Sequence, residues 1–293
     1  MAGLRHCTGL PLPVQPWSLR KAPPNCGSRM HAASMPPQPS QLFKRAPARS
    51  LRPGNEGAEL NLKRIVDLSH TLYPGQEEYR LEADTRQTEQ WAQFAKYERQ
   101  PGGWYIISEV TLNTHVGTHI ELPYHHFRDG LDAAGFPLHG LVGEAVVIDI
   151  SAWGNNQKID LPGLQARCEG LLRPGDIAYF YTGFDRYYRS PQQHHRPWFA
   201  TECIEWLVNE ARIKVMGVDT SGIEIRNPDG SPFRGQPNHE RLLGAGIPLV
   251  EYLANLGELL EQRFTTFILP VKIAGLEAFP VRVIGVQWEA GQP

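Results

Sequence analysis

The 293-residue sequence is short of three things. It has only 4 cysteines, Cys7, Cys26, Cys168 and Cys203, and no two form a C-x-x-C pair. That argues against both a disulfide scaffold and a cysteine zinc site. Few cysteines suit a reducing compartment, so a cytoplasmic location is expected. No uninterrupted apolar run approaches the ~18 residues of a membrane-spanning helix, which removes that class. The formal net charge is only -2, so no general case for nucleic-acid binding exists. What remains is an ordinary globular balance, 41% hydrophobic and 20% charged, with enough chain for a sizeable core.

Acidic residues are missing from one stretch altogether. None precedes Glu56, whereas Arg5, Arg20, Lys21, Arg29, Lys44, Arg45, Arg49 and Arg52 all fall there. The same stretch holds ten of the 25 prolines, and its only large aromatics are Trp17 and Phe43. Such composition buries too little apolar surface to offset the entropy of ordering. Residues 1–58 are therefore expected to be a disordered basic tail, and residues 59–293 one folded, mildly acidic domain. The tail reads as a floppy extension or an upstream start, with Met30 and Met35 as later candidates. The alternatives are an Arg-rich, acid-free transit peptide and a nucleic-acid arm.

Beyond the tail, strands outnumber helices. Arg64–His70, Trp104–Asn113, Gly143–Ile150, Ile177–Tyr181, Lys214–Asp219, Phe264–Ile273 and Val281–Trp288 read as strands. Leu161–Cys168 and Thr201–Ala211 read as helices, with Pro162 near the first start and Thr201 as N-cap of the second. His239–Leu243 reads as a helical turn, and 77–102 as a polar surface excursion. The two element types are interleaved, so the fold class is α/β (mixed α+β) around a mixed sheet.

Chemistry concentrates in one window: His115-Val-Gly-Thr-His119-Ile-Glu121-Leu-Pro-Tyr-His125. Imidazole and carboxylate together are the usual donors for zinc, manganese or iron. In an extended strand, residues four apart are separated by ~13 Å, too far to share one ion at ~2.1 Å. A regular helix is poor with Gly117, Thr118, Ile120 and Pro123 in the run. The chain must fold back, and Gly117 supplies the freedom. Separately hydrogen-bonded core histidines are the bland alternative, but three of them beside a glutamate and a glycine turn favour metal. Trp104, Tyr124 and Phe127 near the window are candidates to line a substrate pocket, with core packing the alternative.

The window closely resembles the signature of the metal-dependent cyclase family, whose members include bacterial kynurenine formamidases (arylformamidases), isatin hydrolases and a manganese-dependent dienelactone hydrolase. Other segments match in order: Val66-Asp-Leu-Ser-His-Thr71, Arg173-Pro-Gly-Asp176, Tyr181-Thr-Gly183, Gly217-Val-Asp-Thr220, His239 with Leu242-Leu243, Glu251, and Pro280-Val-Arg282. The resemblance spans residues 64–288. It implies a single compact β/β/α domain with a mixed sheet, forming homodimers or homotetramers. It also implies one or two divalent ions per chain, Zn²⁺ or Mn²⁺, held by His115, His119, Glu121, His239 and Glu251. His125 would be the catalytic proton-transfer residue. Two positions depart from the family pattern: Glu121 stands where aspartate is usual, and Tyr181 where arginine is common.

The expected activity is hydrolysis of an amide, lactam or lactone bond of a small, aromatic-bearing substrate by metal-activated water. A non-catalytic metal- or ligand-binding module and a metal-dependent cyclase or lyase are the alternatives. No Gly-x-Ser-x-Gly elbow, Gly-x-Gly-x-x-Gly turn or P-loop is present, which argues against a serine hydrolase and against nucleotide cofactors. Expected partners are a small-molecule substrate and further copies of the chain, with neither nucleic acid nor membrane. An organelle location through the tail is the alternative to the cytoplasm.

Overall fold

The computed structural model describes residues 61–94, 102–227 and 229–289. The expectation of a disordered tail over 1–58 lies outside the described residues. Within them the chain forms β1 (Leu62–Asp67), β2 (Leu81–Gln87), β3 (Ile106–Leu112), β4 (His119–Glu121), β5 (Val142–Asp149), β6 (Lys158–Ile159), α1 (Leu161–Cys168), β7 (Ile177–Tyr181) and β8 (Trp198–Phe199). It continues through α2 (Thr201–Asn209), β9 (Val215–Val218), α3 (Pro237–Gly244), β10 (Leu249–Glu251), β11 (Arg263–Ile268), β12 (Ala278–Pro280) and β13 (Val283–Trp288). None of these helices is long and apolar enough to cross a membrane.

Nine strands form one mixed sheet in the order β1-β13-β11-β5-β7-β9-β10-β4-β12. Its middle, β5-β7-β9-β10, is parallel. Both flanks are antiparallel. The expected mixed α+β class holds. The parallel strands explain their own composition. In β5, Val146 and Ile148 join one core, while Ala145 and Val147 join the other. In β7, Phe180 faces the first core and Tyr179 the second. A strand buried on both faces has no need of polar alternation, so it reads as a continuous apolar run.

The first core is closed by the helices. Leu164 of α1, Ile204 and Leu207 of α2 and Leu242 of α3 all pack into it. Each such aliphatic side chain contributes roughly 1.5–3 kcal/mol by leaving water. Asp160 caps α1 by accepting from the Gly163 N–H at 3.0 Å. Thr201 does not cap α2; it is the first helical residue, and Ala200 occupies the cap position without a side-chain hydrogen bond. The polar stretch 77–102 is not all surface excursion either. Its residues Leu81–Gln87 pair with β3 in a separate two-stranded sheet. Five consecutive residues of β2 are exposed, so neither face carries the apolar alternation that would have marked it as a strand.

One ion pair ties the parallel and antiparallel regions together. Arg263 on β11 donates from Nη1 and Nη2 to Asp176, at 3.0 and 2.6 Å, and from Nε to Glu144 at 2.9 Å. Asp176 is buried, and it also accepts from the Arg173 N–H at 2.8 Å. Removing the guanidinium leaves that carboxylate buried and half satisfied. Arg263→Ala is therefore expected to lower unfolding free energy by about 3 kcal/mol. Urea titration should show a lower midpoint at unchanged slope; an unchanged midpoint would contradict the assignment.

Candidate metal centre and active site

The site lies where the sheet turns from parallel to antiparallel. Gly117 has φ +66°, a left-handed backbone that L side chains rarely adopt, and Leu72 and Tyr188 crowd the space a Cβ would take, so the turn favours glycine. After it, β4 runs for only three residues. His119 and Glu121 share one face of the strand, and Ile120 points into the core behind. β10 pairs with β4 so that Glu251 sits opposite His119, which puts its carboxylate on the same face. His115 precedes the turn, and α3 supplies His239. The five residues assigned as ligands by resemblance are thus brought together.

The distances define a compact cluster. His115 Nδ1 lies 3.0 Å from Glu121 Oε1 and 3.2 Å from His119 Nε2. His119 Nε2 lies 3.5 Å from Glu121 Oε1 and 3.8 Å from Glu251 Oε2. His239 Nε2 lies 3.3 Å from Glu121 Oε2 and 3.4 Å from Glu251 Oε1. Glu121 therefore bridges the two halves of the site, one oxygen to each, and its extra methylene relative to aspartate leaves it within reach of both. His125 approaches from the short helical turn Pro123–His125, with Nε2 3.9 Å from Glu121 Oε1.

Two imidazoles are fixed from behind. His119 Nδ1 donates to the Gly117 carbonyl at 2.8 Å. His239 Nδ1 donates to Glu224 Oε1 at 2.8 Å, and the same oxygen accepts the His239 backbone N–H at 2.8 Å. Asn238 holds the start of α3 by donating from Nδ2 to the Phe199 and Ile223 carbonyls, each at 2.9 Å. With Nδ1 engaged in both rings, Nε2 is turned toward the carboxylates, which is how a ligating imidazole is usually presented.

Electrostatics point the same way. Burial opposes the charged form of Glu121, yet contacts from His115, His119 and His239 hold its carboxyl well below the usual range. Burial likewise opposes charge on His239, but Glu121, Glu224 and Glu251 raise it well above its ordinary value. His115 is raised too, against its burial, by Glu121, Glu251 and Glu277. His125 goes the other way: burial lowers it, and Glu121 only partly compensates. The cluster holds buried negative charge that asks for a cation. Glu121 Oε2 is buried without a hydrogen-bond partner, and His115-His119-Glu121 and Glu121-His239-Glu251 each converge within 4.8 Å. This donor set and the orphaned oxygen fit a divalent metal.

A cavity of about 400 Å³ opens over the cluster. Its walls include Tyr79, Asn113, His194, Arg196, Ser221 and Tyr252. Trp104, Tyr124 and Phe127 are not among them. Trp104 is 78% exposed beside β3, and Phe127 packs over Gly244 on a different face. Tyr124 shares the short turn with His125 but is 38% exposed. Nearness in sequence to a metal window did not put these rings on the side of the chain that the metal donors face. The sequence reading also missed Glu277 and Glu224. Glu277 Oε1 sits 3.3 Å from His115 Nε2, completing a third group with His125. It arrives through β12, which pairs with β4, and only that register could have revealed it. Asp219 and Arg282, which belong to two of the segments that match the family, lie outside the donor groups. Asp219 accepts from Thr182 and Gly183 N–H groups at the end of β7, and burial pushes its carboxyl up to about 7. Arg282 pairs with Asp67 at 2.7 Å.

Known proteins share this arrangement of chain. Kynurenine formamidase from Erythrobacter litoralis is 28% identical over 232 residues, covering 76% of this chain and 93% of that protein. Isatin hydrolase A from Ralstonia solanacearum superposes with a TM-score of 0.65 at 23% identity, covering 76% of this chain and 91% of its own. Isatin hydrolase A from Labrenzia aggregata, solved with benzyl benzoate, gives 0.62 at 25% identity, covering 77% and 94%. The family described as "Putative cyclase" matches residues 66–225, from the end of β1 to just beyond β9 and across the whole histidine window. With more than half of the sequence matched to that description, the chain belongs to the cyclase family.

Proposed function

We propose that this protein is a metal-dependent hydrolase that cleaves an amide bond, of the N-formyl arylamine or lactam type, in a small substrate. The observation that carries the reading is the convergence of three imidazoles and two carboxylates, with a buried unpartnered oxygen on Glu121, on the floor of one cavity. The kynurenine formamidase and isatin hydrolase relatives support the bond type. The reaction adds one water across the C–N bond and gives a carboxylate, an amine and one proton, the first two on a single molecule when the bond is a lactam.

His115, His119, Glu121, His239 and Glu251 would hold the cation, with zinc or manganese best suited to the mixed nitrogen and oxygen donors. A divalent cation there supplies Lewis acidity, which makes water acidic near neutral pH and draws charge from a carbonyl oxygen. The protein's own contribution is position and proton transfer. Glu224 and the Gly117 carbonyl keep the two rings turned so that Nε2 faces inward. His125 is neutral at pH 7, because burial lowers its pKa. Its Nε2 can take the proton that water gives up and return it to the departing nitrogen. His115 and Glu277 stand beside it and fix the local field.

Three outcomes follow. His125→Ala should retain metal, counted by mass spectrometry, while kcat for formanilide falls by about 10²–10⁴. Unchanged turnover with metal retained would remove His125 from the chemistry. Glu224→Gln keeps the shape but weakens the hold on His239 Nδ1; metal affinity should drop about 10–100-fold in a chelator competition.

The third outcome is a pH dependence. In metal-free protein the raised His115 and His239 stabilise the fold fully below the unfolded value of 6.5, and that contribution is lost as pH rises through their higher folded values. The depressed Glu121 contributes above 4.5 and loses its contribution as pH falls through its lower folded value. The site therefore favours folding most between these limits when no metal is bound. Chelated protein should lose Tm from about pH 6 to about pH 8.5, while manganese-loaded protein should not. A gap between the two that fails to widen with pH would contradict this account.

A further inference from the structure

Beside the inner donors stands a second convergence. His115, His125 and Glu277 offer one ligand atom each, and these atoms lie within 4.8 Å of one another. His115 is common to both groups. Its Nδ1 faces inward, 3.0 Å from Glu121 Oε1 and 3.2 Å from His119 Nε2. Its Nε2 faces the other way, 3.3 Å from Glu277 Oε1. Nitrogen and oxygen donors at ~2.0–2.1 Å from one zinc ion stand about 3.3–3.4 Å apart along a tetrahedral edge. The edge from His115 to Glu277 already has that length. His125 closes the triangle, its ring centroid 4.8 Å from that of His115.

This outer group is built into the fold. Leu122, fully buried in the second core, holds two of its members through the backbone. The Leu122 N–H donates to the Glu277 carbonyl at 2.9 Å, and the Leu122 carbonyl accepts the His125 N–H at 2.8 Å. The Thr114 hydroxyl donates to Glu277 Oε1 at 2.6 Å, and Asn113 Oδ1 accepts the His115 N–H at 2.9 Å. All three side chains are half-buried and border solvent, which leaves positions for water ligands.

Charge favours a cation here as well. Glu121 and Glu251 together balance one divalent ion on the inner donors, and Glu277 is left over. Among the described residues, no lysine or arginine pairs with it. One imidazole offers both nitrogens only after losing its N–H proton. With Nδ1 of His115 on an inner cation, an outer cation replaces the proton on Nε2, and that proton leaves to solvent. Sharing His115 therefore makes the outer group the weaker of the two.

We propose that His115, His125 and Glu277 form a separate, weaker site for a divalent cation of the zinc type, and that filling it inhibits the enzyme. The cation takes the lone pair of His125, the same pair that accepts the proton from water. The inhibition rests on the hydrolase reading, whereas the site itself does not.

The test is equilibrium dialysis of the full chain against zinc, with bound metal counted by mass spectrometry and formanilide turnover followed in parallel. Wild type is expected to show a tight class and, at higher free zinc, one further cation. As that cation binds, turnover should fall by about 10²–10⁴, the factor that a proton-transfer group carries. A mild chelator should restore turnover while the tight class stays bound. Glu277→Ala should lose the weak class and the inhibition but keep the tight class. His119→Ala should weaken the tight class and keep the weak one. Glu277→Gln, which removes the charge and keeps the shape, should behave as Glu277→Ala does and serves if the alanine variant fails to fold. Wild type that saturates with the tight class alone, or a weak class that survives both Glu277 variants, would overturn the proposal. If formanilide is not hydrolysed, the hydrolase reading fails and the metal count alone decides the site. A weak class without a tight one would likewise sink the inner centre and leave this site standing; no zinc in either class overturns both.

Discussion

Everything at this site depends on one buried carboxylate. Glu121 is 3% exposed, on the floor of the cavity, and surrounded by ring nitrogens. An isolated carboxylate cannot be kept ionised in such a place without compensation. Here the compensation comes from His115, His119 and His239, which hold it in the charged form. The imidazoles in turn are drawn toward protonation by the same carboxylate. Protons and a divalent cation therefore compete for one set of donors. The fold has to hold these groups close in either case, which explains why His119 and His239 are tied from behind through Nδ1.

The sheet supplies that rigidity through register. β4 is three residues long and lies between β10 and β12, both antiparallel to it. Its central Ile120 anchors it in the core, so His119 and Glu121 must face the cavity. A shift of one residue would send both donors to the opposite face. The two neighbours deliver Glu251 and, just before β12, Glu277. Of the two remaining donors, His115 precedes the Gly117 turn and His239 is on α3, packed against the sheet through Leu242. Five donors from four chain segments are positioned by backbone pairing and core contacts that involve no metal.

Much of this was legible in the sequence, and the failures have physical causes. The strands with both faces buried announced themselves by composition, as did α1, whose observed span is the expected Leu161–Cys168. The window from His115 to His125 signalled metal because it crowds donors around a glycine, and Gly117 does make the turn. His239 and Glu251 came only through family resemblance, since nothing local distinguishes them from ordinary residues. Glu277 and Glu224 carried no signal at all; strand register and a loop bring them in. Trp104, Tyr124 and Phe127 were misplaced for a related reason. Aromatic content says that a ring will seek cover, but not which side of a turning chain it will face. The cavity walls come instead largely from segments far away in sequence, such as Tyr79, Ser221 and Tyr252.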